Sequence, residues 1–169
     1  MLKEIENRDI DLSIVDVNKV YLASSMSMRF RKTIETAAAI LRKRFSDVYV
    51  PMENFVKNAW DYPNNEWGLM VFQNDISAMD RSDYIVILNY GRKNTTAGCA
   101  WEAGYAFASG KKVFVVDVDK IVGEDSNEDE FITSLMVENG RYATIRGIEG
   151  LAGYDWDSLP KTRTEFEQK

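Results

Sequence analysis

The sequence predicts an α/β fold in which helices cover both faces of a mainly parallel, five-stranded sheet. Short apolar runs of strand length alternate along the 169 residues with amphipathic segments of helix length. Several of the strand-like runs are apolar almost throughout, as strands that are buried on both faces usually are. The length of the chain and the unbroken alternation indicate one domain of ordinary size.

The first core strand is predicted at residues 19–24 (KVYLAS), which form a short apolar run. Residues 1–17 precede it as an N-terminal extension, and residues 18–169 are assigned to the single domain. A helix follows at residues 29–45, because apolar side chains recur there at helical spacing opposite a basic face. The residues on the apolar face are Ile34, Ala38 and Leu41.

The second strand is predicted at residues 47–51 (DVYVP), where Pro51 ends the run because proline cannot donate to a strand ladder. Residues 52–64 contain several Asn, Asp, Tyr and Pro residues and are predicted to form a loop. The helix that follows at residues 65–81 is expected to turn one apolar face towards the sheet. That face contains Leu69, Phe72, Ile76 and Met79.

The remaining elements continue the alternation. Residues 83–90 (DYIVILNY) form a nearly continuous apolar strand, and residues 100–109 form a helix. The fourth strand is predicted at residues 111–118 (KKVFVVDV). A helix with acidic residues in its first turn is predicted at residues 126–140, and the last strand at residues 142–147 (YATIRG).

The composition excludes several classes of function. The net charge of −6 disfavours binding to nucleic-acid polymers or to anionic membranes, and no apolar run approaches the roughly 20 residues of a membrane span. A single cysteine rules out an intrachain disulfide and predicts a reducing, cytoplasmic location. Because the chain has no histidine, any proton transfer must fall to carboxylates, Tyr, Lys or Cys.

The ligand-binding end of such a sheet lies beyond the carboxyl ends of its strands, where the strand order reverses. Here that end consists of the loops at residues 24–28, 51–64 and 89–99. Glu102 follows the third loop, alone among small and apolar residues in AGCAWEAGYAFASG, with Gly98 allowing close approach of a ligand. A carboxylate near a helix start can simply complement the helix dipole. Its apolar neighbours and its position favour a functional role.

A second candidate carboxylate is Asp75, because Asp is a poor residue for the middle of a helix. An ion pair with Arg81 or Lys57 is an alternative explanation for it, and the sequence leaves both open. The phosphate-binding patterns GxGxxG and GxxxxGK[ST] are missing, as is a cluster of metal ligands. The sequence therefore predicts neither a cofactor nor a metal.

These segments resemble those of the nucleoside 2-deoxyribosyltransferases, in particular the lactobacillus-type enzymes, from about Val20 to Ile145. The resemblance is carried by KVYLAS, YVPMEN, the run from Trp67 to Asp75, GCAWEAGYAFASGKKV and TSLM at residues 133–136. It implies a flavodoxin-like (Rossmann-like) three-layer sandwich. It also implies deoxyribonucleosides and free nucleobases as partners, and a homo-oligomer, at least a dimer, whose sites are completed by a neighbouring subunit.

The chemistry that the resemblance implies is a retaining double displacement at C1′ of 2-deoxyribose, without metal or cofactor. Glu102 would be the nucleophile, Asp75 would protonate and deprotonate the base, and Tyr21 would orient the nucleophile. Trp60, Tyr62 and Trp67 are candidate walls for a stacked base, although packing explains them equally well. The implied substrate-binding residues are Ser24, Ser25, Phe55, Trp67, Asn74, Thr96, Gly98, Ser134 and Met136.

Three positions depart from the family pattern and suggest alternatives. Thr96 replaces an aspartate that holds the sugar 5′-hydroxyl, Ser134 replaces an asparagine from the partner subunit, and Phe55 replaces a glutamine. The hydroxyls of the first two, with Arg92 or Lys93 nearby, could instead bind a 5′-phosphate. The alternatives are therefore a 2′-deoxynucleoside 5′-monophosphate N-glycosidase, which is a hydrolase, and a non-catalytic nucleotide-binding module.

Overall fold

A computed structural model of the protein describes residues 16–91, 94, 96–124 and 134–159. Its strands are β1 (Asp16–Ala23), β2 (Phe45–Tyr49), β3 (Tyr84–Asn89), β4 (Lys112–Asp117) and β5 (Ala143–Arg146). Its helices are α1 (Arg31–Arg42), α2 (Asn64–Arg81), α3 (Ala97–Ala108), α4 (Leu135–Gly140) and α5 (Gly150–Gly153).

The five strands form one sheet in the order β2-β1-β3-β4-β5, and every described pair is parallel. This is the flavodoxin-like order, so the predicted fold class is confirmed, with a sheet that is wholly rather than mainly parallel. The chain leaves β1 towards β2 on one side and later returns to β3 on the other. The strand order therefore reverses between β1 and β3, where such folds form a crevice for ligands.

Two helical layers cover the sheet, as the apolar strands require. On one face, α1 and α5 pack over a core that includes Leu22 and Phe114. On the other face, α2, α3 and α4 pack over a second core that includes Tyr21 and Ile85. Because successive strand residues point to opposite faces, neighbours in β1 such as Tyr21 and Leu22 belong to different cores.

The predicted helix at residues 29–45 is shorter in the structure. A 3₁₀ turn at Met28–Phe30 precedes α1, and α1 ends at Arg42. Strand β2 begins at Phe45, two residues before its predicted start, because this side chain is buried against the ring of Trp156. Trp156 belongs to the C-terminal segment, which thus packs into the core of its own chain.

The inward face predicted for α2 is only half right. Met79 is buried and Ile76 packs partly against the core, but Leu69 and Phe72 are exposed over about half of their surface. The reason is that only the C-terminal part of α2 lies on the sheet. The preceding part extends past the strand ends, where Trp67 lines a cavity instead.

The structure also differs from the prediction at the start of the chain and in the segment between β4 and β5. Residues 1–15 of the predicted extension lie outside the described residues, and β1 already begins at Asp16. Residues 126–133 of the predicted last helix also lie outside them. That helix does not run through Ser134, which has an extended backbone and caps α4 by accepting a hydrogen bond from the Val137 amide.

Candidate active site

Glu102 lies more than one turn inside α3 and therefore does not cap the helix. Thr96 is the N-cap, and its Oγ1 accepts a hydrogen bond of 3.3 Å from the Cys99 amide. The stabilising effect of a helix dipole on an acid falls off within the first turn. A structural role at the helix start therefore does not account for the carboxylate at this position.

The side chain of Glu102 is held by a buried tyrosine. Tyr21 in β1 is fully buried, and its Oη donates a hydrogen bond of 2.7 Å to Oε1 of Glu102. Burial raises the pKa of Glu102 to about 7, the charge of Asp75 adds to this rise, and the hydrogen bond from Tyr21 opposes it. Burial and the Glu102 carboxylate raise the pKa of Tyr21 far above its usual value, so its phenol stays protonated as a donor.

Asp75 is held in the same way by a tyrosine of the neighbouring strand. The Oη of Tyr49, the last residue of β2, donates a hydrogen bond of 3.1 Å to Oδ1 of Asp75. Burial raises the pKa of Asp75, while the hydrogen bond from Tyr49 lowers it. Among the ion pairs of the described residues, none joins Asp75 to Arg81 or Lys57, the partners that the sequence left open.

Both carboxylates line one cavity of about 830 Å³ near the reversal of the strand order. This volume lies within the usual range for small-molecule sites. Six of the residues assigned to substrate binding from the sequence also line it: Ser24, Phe55, Trp67, Asn74, Thr96 and Gly98. The elements that converge here are the ends of β1 and β2, the loops that follow them, the first half of α2 and the start of α3.

Three of the assigned residues do not line the cavity of the same chain. Ser25 is buried, and its Oγ accepts a hydrogen bond from the Ser27 amide. Ser134 caps α4, and Met136 is 84% exposed on that helix. Neither Ser134 nor Met136 lines the cavity that contains the two carboxylates of the same subunit.

Two of the three aromatic residues that were candidates for stacking on a base line the cavity. Trp60 and Trp67 line the cavity, as Phe55 does, and Trp60 is 86% exposed at its mouth. Tyr62 is not among the residues that line the cavity. Apolar side chains held in contact with solvent are costly unless something covers them, so the mouth is suited to a planar apolar ligand.

Sequence reasoning missed one polar contact of the site, that of Tyr49. The tyrosine was visible in YVPMEN, but its role depends on the pairing of two strands that are distant in the chain. Tyr49 lies opposite Tyr21 in the parallel register of β1 and β2, and their rings stack at 5.5 Å. The one signal in the sequence was a side chain with a hydroxyl group near the carboxyl end of a predicted strand, where ligands bind in such folds.

The cavity also contains a thiol group, that of Cys99. Cys99 lines the cavity but is 4% exposed, and burial raises its pKa to about 11, so its thiol is neutral and a poor nucleophile.

Across the described residues there is no group of three or more metal-ligating side chains. The helices of the described part of the chain are too short or too polar to span a membrane.

The arrangement can perform nucleophilic and acid–base chemistry on a small molecule bound in the cavity. Two carboxyl groups line one cavity, and burial raises the pKa of both. Each has a phenol donor that fixes one of its oxygens. Carboxylate pairs of this kind serve glycoside chemistry in other folds.

Comparison with known proteins identifies the family. The family model described as Nucleoside 2-deoxyribosyltransferase matches residues 20–136. A nucleoside deoxyribosyltransferase of Lactobacillus johnsonii is 27% identical over 116 residues, which cover 65% of this chain and 71% of that protein.

Two solved structures share the fold. One is the 2-deoxyribosyltransferase of Bacillus psychrosaccharolyticus, with a TM-score of 0.65 and 27% identity over 84% of this chain and 96% of the other. The second is a conserved protein of Enterococcus faecalis V583, with a TM-score of 0.59 and 20% identity over 82% and 96% of the two chains, which supports the fold alone. With a family model that spans most of the domain, the chain belongs to the nucleoside 2-deoxyribosyltransferase family.

Proposed function

We propose that the protein transfers 2-deoxyribose between purine or pyrimidine bases, by a retaining double displacement through a glycosyl-Glu102 intermediate. The observation that carries this proposal is that Glu102 and Asp75 line the same cavity, each held by a tyrosine. The substrates would be deoxyribonucleosides and free nucleobases, as the name of the Lactobacillus johnsonii relative suggests. Such an activity would serve nucleotide salvage.

In the first half of the reaction, a carboxylate oxygen of Glu102 attacks C1′ of the deoxyribose. The new C1′–O bond forms while the bond between C1′ and the base nitrogen breaks, and Asp75 gives its proton to the departing base. In the second half, a nitrogen of the incoming base attacks C1′ and releases Glu102. Asp75 then takes the proton that this nitrogen loses. Two inversions at C1′ retain the configuration.

The two roles require opposite charge states at the start of the reaction. Glu102 must be ionised, and the hydrogen bond from Tyr21 stabilises its ionised form. Asp75 must be protonated, and burial raises its pKa in that direction. Burial raises the pKa of Glu102 as well, so the reaction requires a bound substrate that favours the proton on Asp75 and the negative charge on Glu102.

Aromatic walls would favour transfer to a base over hydrolysis by water. Phe55, Trp60 and Trp67 line the cavity, and a planar base stacked on them would cover their exposed faces. A base bound in this way also excludes water from the ester at Glu102. Water then reaches the ester only between the departure of one base and the arrival of the next.

The decisive assay incubates the protein with deoxyinosine, with and without free adenine, and separates the products by chromatography. Transfer gives deoxyadenosine only when adenine is present, whereas hydrolysis gives free deoxyribose and hypoxanthine in both mixtures. If neither product forms but a nucleotide still raises the melting temperature, the protein is a non-catalytic binding module and the proposal is wrong.

A hydrolase acting on 2′-deoxynucleoside 5′-monophosphates is the second candidate. The observation that favours it is Thr96, which places a hydroxyl group and the N-terminus of α3 in the cavity where the family pattern has an acid. A helix N-terminus and a hydroxyl group accept a phosphate, whereas an aspartate repels it. Replacing deoxyinosine by dCMP in the same assay tests this candidate.

Thr96→Asp should shift the preference of the enzyme from monophosphates towards nucleosides. The introduced carboxylate repels a 5′-phosphate, so we expect the ratio of kcat/KM for dCMP to that for deoxycytidine to fall about 10-fold or more. Asp is also a good N-cap, so α3 keeps its start. Thr96→Asn is the matched neutral control. An unchanged ratio in Thr96→Asp would exclude a phosphate at this end of the cavity.

We further propose that the protein is a homo-oligomer joined through the layer of α2, α3 and α4. Leu135 and Met136 are 79% and 84% exposed, and Phe72 and Trp101 contact each other while remaining half exposed. Leu69 and Phe107 are exposed as well, and apolar side chains that are exposed together on one layer mark interaction surfaces. A second copy that covers these side chains would bring Ser134 and Met136 towards a neighbouring cavity.

Leu135→Glu should weaken this assembly. The introduced charge would be buried without a partner, so we expect analytical ultracentrifugation to show a smaller species than the wild type at equal concentration. Activity should fall with it, because the cavity loses residues from the neighbour. Ala39→Glu adds the same charge on α1, on the opposite face, as a control. A wild-type protein that sediments as a monomer would contradict the proposed assembly.

A further inference from the structure

We infer that Tyr49 is a positioning residue that fixes Asp75 for proton transfer to and from the nucleobase. This inference rests on the proposed function and adds a residue to its machinery. The Tyr49 hydroxyl donates to Oδ1 of Asp75 at 3.1 Å. Since this oxygen is occupied by the phenol, the proton exchanged with the base is carried by the other carboxyl oxygen, Oδ2.

Tyr49 is well placed to hold a carboxyl group still. It ends β2, where its backbone pairs in parallel register with Tyr21 of the central strand β1. The two rings stack, with centroids 5.5 Å apart and planes inclined by 15°. A ring fixed by a strand on one side and by a buried neighbour on the other presents its hydroxyl group at a constant point.

The two stacked tyrosines serve the two carboxylates in parallel, since Tyr21 donates to Glu102 as Tyr49 donates to Asp75. Burial and the Asp75 carboxylate raise the pKa of Tyr49 to about 12, so this phenol keeps its proton at neutral pH. Asp75 therefore retains its donor in both of its protonation states. The orientation of the carboxyl group is then the same when it gives a proton and when it takes one back.

The hydrogen bond also adjusts how readily Asp75 ionises. Burial raises the pKa of Asp75, and the Tyr49 bond partly offsets that rise. The other titratable or charged groups around the pair are Tyr21 on β1, Glu102 on α3, Arg81 on α2 and Lys57 in the loop after β2. Loss of the phenol hydroxyl leaves burial unopposed, which raises the pKa of Asp75 further.

Tyr49→Phe tests the inference, because phenylalanine keeps the ring and its stacking on Tyr21. We expect kcat for transfer to fall about 10-fold with a good leaving base and further with a poor one, with KM little changed. We also expect the Asp75 carboxyl carbon, followed by ¹³C NMR without substrate and assigned with Asp75→Asn, to titrate at a higher pH than in the wild type.

Tyr105→Phe is the matched control. Tyr105 donates a similar hydrogen bond of 2.7 Å to Asp80, which lies on α2 as Asp75 does but outside the cavity. This control should leave kcat and the Asp75 titration unchanged. Wild-type kinetics and titration in Tyr49→Phe, or equal losses in both variants, would overturn the inference while leaving the proposed function intact. An inactive wild-type protein would instead contradict the proposed function itself.

Discussion

Glu102→Ala is expected to reduce deoxyribosyl transfer by at least about 10³-fold, because Asp75 is the only other carboxylate among the described residues that line the cavity, and we propose a different role for it. Without Glu102, the sugar has no group to which it can bond while the first base leaves. The product assay with deoxyinosine and adenine measures this loss. Acid quenching of the wild type during turnover, followed by mass spectrometry, should show a deoxyribosyl adduct on the peptide that contains Glu102.

The loss must be separated from unfolding, and Glu102→Gln serves that purpose. The folded-state pKa of Glu102 lies above its ordinary value, so the stability that this carboxyl contributes at low pH is lost as the pH rises through about 7. A neutral amide of the same shape should therefore melt no lower than the wild type at pH 8. Retention of more than a few per cent of the activity by either variant would show that Glu102 is not the nucleophile.

Asp75→Asn is expected to slow transfer by about 10²- to 10⁴-fold, and most for bases that leave poorly without a proton. The amide oxygen of asparagine can still accept the hydrogen bond from Tyr49, so the geometry around the site is retained. The variant thus removes the proton and little else. The measurement is kcat for a series of deoxyribonucleosides whose bases differ in basicity.

Asp80→Asn on the same helix is the control for this series, since Asp80 lies outside the cavity and accepts its hydrogen bond from Tyr105. A graded loss in Asp75→Asn, steepest for the poorest leaving bases, identifies protonation of the leaving group. An equal loss for every base would assign Asp75 to binding or positioning of the sugar rather than to proton transfer.

The strands could be predicted from the sequence because each one carries its own signal. Apolar runs such as that of β3 are buried on both faces wherever they lie in the sheet. The helix faces carry less information, because the spacing of Leu69 and Phe72 shows that they share one side but not what covers it. In the structure α2 outruns the sheet, so this apolar side remains exposed. The sequence of a helix does not show how far the sheet beneath it extends.

The residues of the candidate site likewise fall into two groups, those that the sequence reveals and those that only the structure reveals. Glu102 and Asp75 stand out in the sequence because each is a charge in an apolar or helical setting that does not favour it. Tyr49 could not be found in this way, since its contact with Asp75 depends on the parallel register between β1 and β2. Ser24 and Ser25 are adjacent in sequence, yet only Ser24 lines the cavity, because Ser25 is buried in the loop after β1 and accepts a hydrogen bond from the Ser27 amide.

The complete burial of Tyr21 ties the reactive group to the interior of the protein. Its ring packs in the same core as Ile85 and Met79, while its hydroxyl group reaches Glu102. The position of Glu102, the proposed nucleophile, therefore depends on the volumes of core residues that do not line the cavity. A methylene group added or removed beside that ring would shift the Tyr21 hydroxyl group and, through its hydrogen bond, the Glu102 carboxylate.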